Sequence, residues 1–146
     1  DGMVTRAEFI TMLMRAIDGQ VNPGTVPFTD VQEGTWYYSS ISSAYKLGIV
    51  NGITEGRFGI NDPISRQDMA VMVHRAIEAI GMELHSNPIS VDFADKNEIS
   101  GYSSQAVERL VLGGILQGMD NNRFGPLENC TRAQAAAILY RFYLQQ

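Results

Sequence analysis

A single cysteine, Cys130, stands among 146 residues, so no disulfide forms within the chain. The fold has to hold by packing and hydrogen bonds, and the missing bridges do not assign a compartment by themselves. Basic residues are also scarce, 11 against 16 acidic, for a net charge of −5. A general nucleic-acid binder needs a basic stripe to neutralise phosphates, so nucleic acid is not an expected partner. An anionic ligand held by a few well-placed arginines is still compatible with this charge. No apolar run reaches the roughly 18 residues of a membrane-spanning helix, so membrane insertion is not expected. No signal peptide opens the chain, and its abrupt start predicts further sequence upstream. What remains, 45% hydrophobic and 18% charged residues, is an ordinary globular balance, enough for one core or a short array of repeats.

The repeats are there. Val4-Thr5-Arg6-Ala7-Glu8-Phe9, Ile64-Ser65-Arg66-Gln67-Asp68-Met69 and Cys130-Thr131-Arg132-Ala133-Gln134-Ala135 share one frame, their arginines 60 and then 66 residues apart. Downstream, Phe9, Met12, Leu13, Ala16 and Ile17 match Met69, Met72, Val73, Ala76 and Ile77, and again Ala135, Ile138, Leu139, Phe142 and Tyr143. This spacing is the apolar stripe of an amphipathic helix, present three times. A second block occurs twice. Phe28-Thr29-Asp30 matches Phe93-Ala94-Asp95, Trp36 falls opposite Tyr102, Gly48-Ile49-Val50-Asn51-Gly52 opposite Gly114-Ile115-Leu116-Gln117-Gly118, and Arg57-Phe58-Gly59 opposite Arg123-Phe124-Gly125. A helix from about Trp36 to Leu47 should stop at Gly48, because glycine suits the left-handed position after a helix end. Glycine and proline punctuate the joins, giving three segments: 1–20, the second half of a first unit; 27–81, a second unit; and 91–146, a third. A helix pair of this size does not bury its stripes alone, so the units must share a core. The expected fold is all-α, with helices near 5–18, 65–80 and 131–144 packed through Phe9, Leu13, Met69, Val73, Ile138 and Leu139. The stripe of the first helix, with no partner half, is expected to stay uncovered unless upstream chain or a second molecule covers it, which makes self-association through the incomplete first unit an expectation.

Each motif opens like a capping box: Thr5 with Glu8, Ser65 with Asp68, Thr131 with Gln134. Asp68 is shorter than the favoured Glu or Gln, so its return bond is the least expected. The arginines are not explained by capping. Arg6, Arg66 and Arg132 occupy the first helical position, where the helix dipole opposes a cation. Either a bound anion compensates, meeting the guanidinium and the free helix-start amides together, or each arginine pairs with a local acid such as Asp62 or Glu128. Trp36 and Tyr102 present aromatic faces of the kind that stack on sugar rings, or else anchor the core at a helix start. Asp30 and Asp95 either cap the second-block helix or its preceding turn, or touch a ligand.

These residues resemble the S-layer homology domain family. Phe28-Thr29-Asp30-Val31, Trp36-Tyr37, Gly48-Ile49-Val50-Asn51-Gly52 and Ile64-Ser65-Arg66-Gln67-Asp68 match its ordered motif set, and the match spans nearly the whole chain. The resemblance implies a pseudo-threefold bundle around a central three-helix core. It implies clefts between units that bind anionic secondary cell-wall polymers, often with a pyruvate ketal on N-acetylmannosamine, and it assigns the acidic group to Arg6, Arg66 and Arg132. It further implies a non-covalent anchoring role at the surface of a mainly Gram-positive bacterium. The third unit departs most, with Gln134 for the acid, Tyr102 for tryptophan and Asp95-Lys96 where Asp-Val is usual. Arg66 is expected to bind a carboxylate with an aromatic wall from Trp36 or its equivalent. A protein–protein module using the same clefts or an exposed stripe is the competing reading.

No enzyme is expected, for no acid, base or nucleophile set recurs. His74 has Met14 and Tyr140 in its frame, and His85 lies in a linker. Cys130 aligns with Val4 and Ile64 and reads as a small buried apolar residue. Asp120-Asn121-Asn122-Arg123-Phe124-Gly125 has Phe124 at a ligand position and Thr131 where a calcium loop needs its bidentate Glu, so no metal is expected there. Asn129-Cys130-Thr131 fits a glycosylation acceptor pattern, but it overlaps the capping motif. No cofactor is expected.

Overall fold

A computed structural model describes residues 2–22 and 24–146. Five α-helices carry the fold: α1 (Arg6–Ala16), α2 (Tyr38–Lys46), α3 (Arg66–Ala79), α4 (Gly101–Leu112) and α5 (Arg132–Leu144). Among the described residues, extended chain occurs only as isolated bridges, so the class is all-α as the periodicity predicts. The helix starts follow the motifs. Thr5 with Glu8 and Thr131 with Gln134 form complete capping boxes. Ser65 caps the Asp68 amide, but the Asp68 carboxylate does not return the bond. Its side chain is left for other work.

Gly48 ends α2 as the sequence predicts. Its φ is +77°, and the Ile49 amide reaches back to the Ala44 carbonyl at 2.8 Å, the longer bond of a Schellman cap. A Cβ there would meet open space, so only the backbone conformation demands glycine. Gly48→Ala should therefore lower unfolding free energy by about 1–2 kcal/mol, the usual penalty for a left-handed L-residue, read as a shift in denaturant midpoint with an unchanged slope. No shift would mean that the chain re-caps the helix in another way.

The three motifs meet at one point. The Val4 amide donates to the Cys130 carbonyl at 3.0 Å, Cys130 to Ile64 at 2.9 Å, and Ile64 back to Val4 at 2.9 Å. This closed ring of backbone bonds, whose three side chains are fully buried, marks the axis that relates the units. Around it, Phe9, Leu13, Met69 and Val73 are fully buried, Ile138 is nearly so, and Leu139 packs against the same cluster. The expected shared core is present.

Helix pairing differs from the order of the repeat. The two helices of one unit, α2 and α3, do not pack together; α2 packs on α1 and α4 on α3. Each front helix thus covers the long helix of the preceding unit. This corrects the expectation that the α1 stripe stays uncovered: Phe9, Ile10, Leu13 and Met14 are fully buried beneath α2, α3 and α5. The helix without a front helix against it is α5. There Ala136, Tyr140 and Tyr143 are exposed, in the frame where α3, packed on α4, buries Ala70, His74 and Ile77, and Leu144 is exposed beside them. Small serines let chain cross the other side of α2, where Ser43 Oγ bonds both the amide and the carbonyl of Val21, and Ser42 Oγ those of Gly24.

Candidate functional site: two clefts between units

The arginines are held by the loops of the following unit. Arg6 Nε donates to the Phe58 carbonyl at 2.9 Å, and its guanidinium lies 5.1 Å from the Phe58 ring centre. Arg66 repeats this on Phe124, with 2.8 Å to the carbonyl and 4.9 Å to the ring. Only 5% of Arg6 and 4% of Arg66 is exposed. Burial draws the pKa of each guanidinium below its ordinary value, against the pull of nearby acids, but arginine stays charged throughout the protein's pH range.

The helix-start amides are occupied. Arg6 and Ala7 donate to the Asp62 and Ile60 carbonyls at 2.9 and 3.4 Å, and Arg66 and Gln67 to the Glu128 and Pro126 carbonyls at 2.9 and 3.0 Å. An anion therefore has the guanidinium to meet but not these amides. The arginines do not take the local acids either, since Asp62 pairs with Arg57 at 3.2 Å and Glu128 with Arg123 at 3.3 Å. Their carboxylate partners come from the capping position of the next long helix. Arg6 Nη1 meets Asp68 Oδ2 at 2.9 Å, and Arg132 Nη2 meets Glu8 Oε2 at 2.6 Å. Arg66 has no such partner among the described residues; its Nη2 donates to the Gln117 carbonyl at 2.9 Å.

Asp30 and Asp95 hold the loops in place. Asp30 accepts from the amides of Phe58, Gly59 and Ile60 at 2.9, 2.7 and 3.2 Å, and Asp95 from Phe124 and Gly125 at 2.8 Å each. Burial pushes both carboxyls up, but the backbone amides outweigh it and hold them below the usual range. Neither side chain caps a helix and neither lines a cleft; both face the turn that supports the arginine.

Trp36 and Tyr102 are not core anchors: each is 62% exposed, and the ring buried beside Trp36 is Tyr37, 5.2 Å away and edge-on. Tyr102 leans over the start of α3, donating its hydroxyl to Asp68 Oδ1 at 2.5 Å. Its pKa is pushed up to about 12 by burial and by that bond. Tyr102 is thus the aromatic wall of the Arg6 cleft. Among the described residues the Arg66 cleft has no aromatic lining residue and Trp36 lines neither cleft, so the expected pairing of Arg66 with an aromatic wall is corrected.

The first cleft, about 330 Å³, lies between Arg6, the loop from Ile49 to Ile53, the outer face of α3 and Tyr102. The second, about 400 Å³, lies between Arg66, the loop from Leu116 to Asp120 and the outer face of α5. In each, a further arginine of the long helix, Arg75 or Arg141, also lines the cleft. The sequence carried a signal for these, since Arg15, Arg75 and Arg141 share the repeat frame. Arg132 is the exception: its side chain is 56% exposed, and it meets the Glu8 carboxylate with no loop carbonyl or ring behind it among the described residues.

The remaining reactive groups sit elsewhere. Cys130 lies on the axis with its thiol pushed up to about 11 by burial. His74 Nε2 sits 2.9 Å from Arg109 Nη1 and 3.2 Å from Glu78, with a pKa lowered chiefly by burial. No helix among the described residues is long and apolar enough to cross a membrane.

Comparison with known proteins places this geometry. The chain is 38% identical over 94% of its length to an amylopullulanase of Thermoanaerobacterium thermosulfurigenes. It is 35% identical over 93% to an endoglucanase of Bacillus sp. strain KSM-635, and 22% identical over 94% to a cellulosome-anchoring protein of Acetivibrio thermocellus. It spans only 7%, 14% and 31% of those proteins. The pattern of the S-layer homology domain matches residues 27–70 and 92–136, more than half of the chain. With its repeats closed around one axis, this chain belongs to the S-layer homology domain family.

Proposed function

We propose that the chain is a non-catalytic module that anchors a larger protein at the bacterial cell surface by holding an anionic, pyruvylated wall polysaccharide in the clefts between its units. One observation carries the reading. In both clefts a buried arginine, held from behind by a loop carbonyl and an aromatic ring, keeps one terminal nitrogen without a partner in the described chain, Nη2 of Arg6 and Nη1 of Arg66. No buried side-chain nitrogen or oxygen in the described chain lacks a hydrogen bond, so these nitrogens open outward. A guanidinium nitrogen so placed is preorganised to donate to a polar group of a sugar, and to a carboxylate above all where no protein carboxylate pairs it, as at Arg66. Both volumes sit at the lower end of the range for small-molecule sites. Tyr102 adds a partly apolar face suited to a pyranose ring. The cellulosome-anchoring relative supports the anchoring role, and the enzyme-named relatives, matched over a small share of their length, support a module carried beside catalytic parts.

The test is retention on purified wall polysaccharide of a Gram-positive bacterium, before and after mild acid removes the ketal. The protein should be retained by the intact polymer, less so as salt rises, and lost from the stripped one. Equal retention on both would sink the anionic reading. The exposed α5 stripe of Ala136, Tyr140, Tyr143 and Leu144 favours one second reading, an assembly surface for another polypeptide; it predicts self-association with no retention on either polymer.

A further inference from the structure

The clefts are built alike but are charged differently at the arginine. In each, the residue at the third position of the facing long helix decides what the guanidinium meets. At the first cleft it is Asp68, 2.9 Å from Arg6 and fixed on its other oxygen by the Tyr102 hydroxyl. At the second it is Gln134, whose Oε1 is committed to the Thr131 amide at 3.0 Å. Arg66, 4% exposed, consequently has carbonyls and a ring around it but no carboxylate within ion-pairing distance among the described residues. Glu128 and Asp95 act on it only from a distance, engaged as they are by Arg123 and by the loop amides. Asp120, at the rim of the same cleft, is exposed and makes no ion pair there.

A buried cation without a directly paired counter-ion is costly, and an anion that enters recovers part of that cost; a cation already paired gains much less. We propose that the two clefts divide the work: Asp68 is the resident counter-ion of Arg6 and closes that cleft to carboxylates, while Gln134 leaves Arg66 open, so the second cleft is the one that takes the acidic sugar. The first cleft, with a neutralised arginine and the fixed ring of Tyr102, then suits an uncharged sugar unit of the same polymer. This division rests on the polysaccharide reading above. It also assigns the specificity to one side chain per cleft.

Glu8 shows that the difference can be exchanged. On α1 its Oε1 accepts from the Thr5 amide at 3.0 Å while its Oε2 takes Arg132 at 2.6 Å, so a glutamate in this frame caps the helix and pairs the arginine at once. Gln134→Glu should keep the cap and give Arg66 a counter-ion. Asp68→Asn should keep the shape of the first cleft and free Arg6.

The probe is the methyl glycoside of N-acetylmannosamine bearing a pyruvate ketal, with the ketal-free sugar as control, titrated by calorimetry while circular dichroism follows the fold. The wild-type chain should bind one ketal sugar. Gln134→Glu should weaken it at least tenfold, and Asp68→Asn should add a second ketal site. The double variant should bind once, now lost on Arg6→Ala rather than Arg66→Ala. Two equivalent ketal sites in the wild type, or undiminished binding by folded Gln134→Glu together with no gain in Asp68→Asn, would overturn the division of work while leaving the polysaccharide reading intact. No ketal-dependent binding by the wild type or by Asp68→Asn would overturn both.

Discussion

Arg66→Ala should weaken binding of the ketal sugar by about ten- to a hundred-fold, corresponding to the roughly 1.5–3 kcal/mol of one charge-assisted contact. The effect is large because no carboxylate pairs directly with Arg66, Glu128 and Asp95 acting on it only from a distance; at Arg6 the same substitution removes a cation that Asp68 already neutralises. Arg66→Lys should recover only part of the affinity. An ammonium keeps the charge, but it lacks the planar fork that donates to Phe124 and Gln117 on one side and to the ligand on the other. Alanine also leaves those two carbonyls without their donor, so the melting temperature should fall, and affinity must be read well below it. A monosaccharide is the right probe, since two sites on one polymer would hide part of the loss through avidity. Unchanged affinity in folded Arg66→Ala would assign this arginine to structure alone.

Asp95→Ala should be strongly destabilising, costing about 3–5 kcal/mol. The carboxylate is 7% exposed and accepts from two amides at 2.8 Å, each bond to a charged group being worth roughly 1.5–3 kcal/mol. Without it, the buried amides of Phe124 and Gly125 lose their acceptor and the turn loses its hold. The damage should reach the cleft, because the Phe124 carbonyl is what positions Arg66. A denaturant midpoint reduced by less than the equivalent of about 1 kcal/mol would show that water or a neighbour replaces the carboxylate.

The same groups set the acid limit. Asp30 and Asp95 have pKa values depressed in the folded chain, where burial is outweighed by the amides. A depressed carboxyl contributes stability above its unfolded value, near 3.9, and loses it as pH falls from there through the folded value. Stability should hold down to about pH 4 and drop below it, and Asp95→Ala should flatten that drop. An unchanged acid limb in the variant would assign the loss to other carboxylates.

Much of this architecture is local, and local chemistry is written in short stretches. The capping residues, the stripes from Phe9 to Ile17 and from Met69 to Ile77, and the stop at Gly48 act within a turn or two, so the repeat frame alone places the helices. The missing return bond of Asp68 is equally local, a matter of one methylene. What the repeat frame does not contain is which unit faces which. Arg6 meets Asp68 and Glu8 meets Arg132 across 62 and 124 residues, because the ring of Val4, Ile64 and Cys130 closes the units on one another. That closure sends α2 onto α1 rather than α3, leaves α5 rather than α1 exposed, and carries Tyr102 into the cleft of Arg6. Arg75 and Arg141 were in frame all along, but a helical period does not say which face meets a neighbour and which meets a cleft. The sequence determines the units, since their signals are backbone bonds over a few residues. Only the packing of those units decides the charge in each cleft, since that depends on atoms brought together from different repeats.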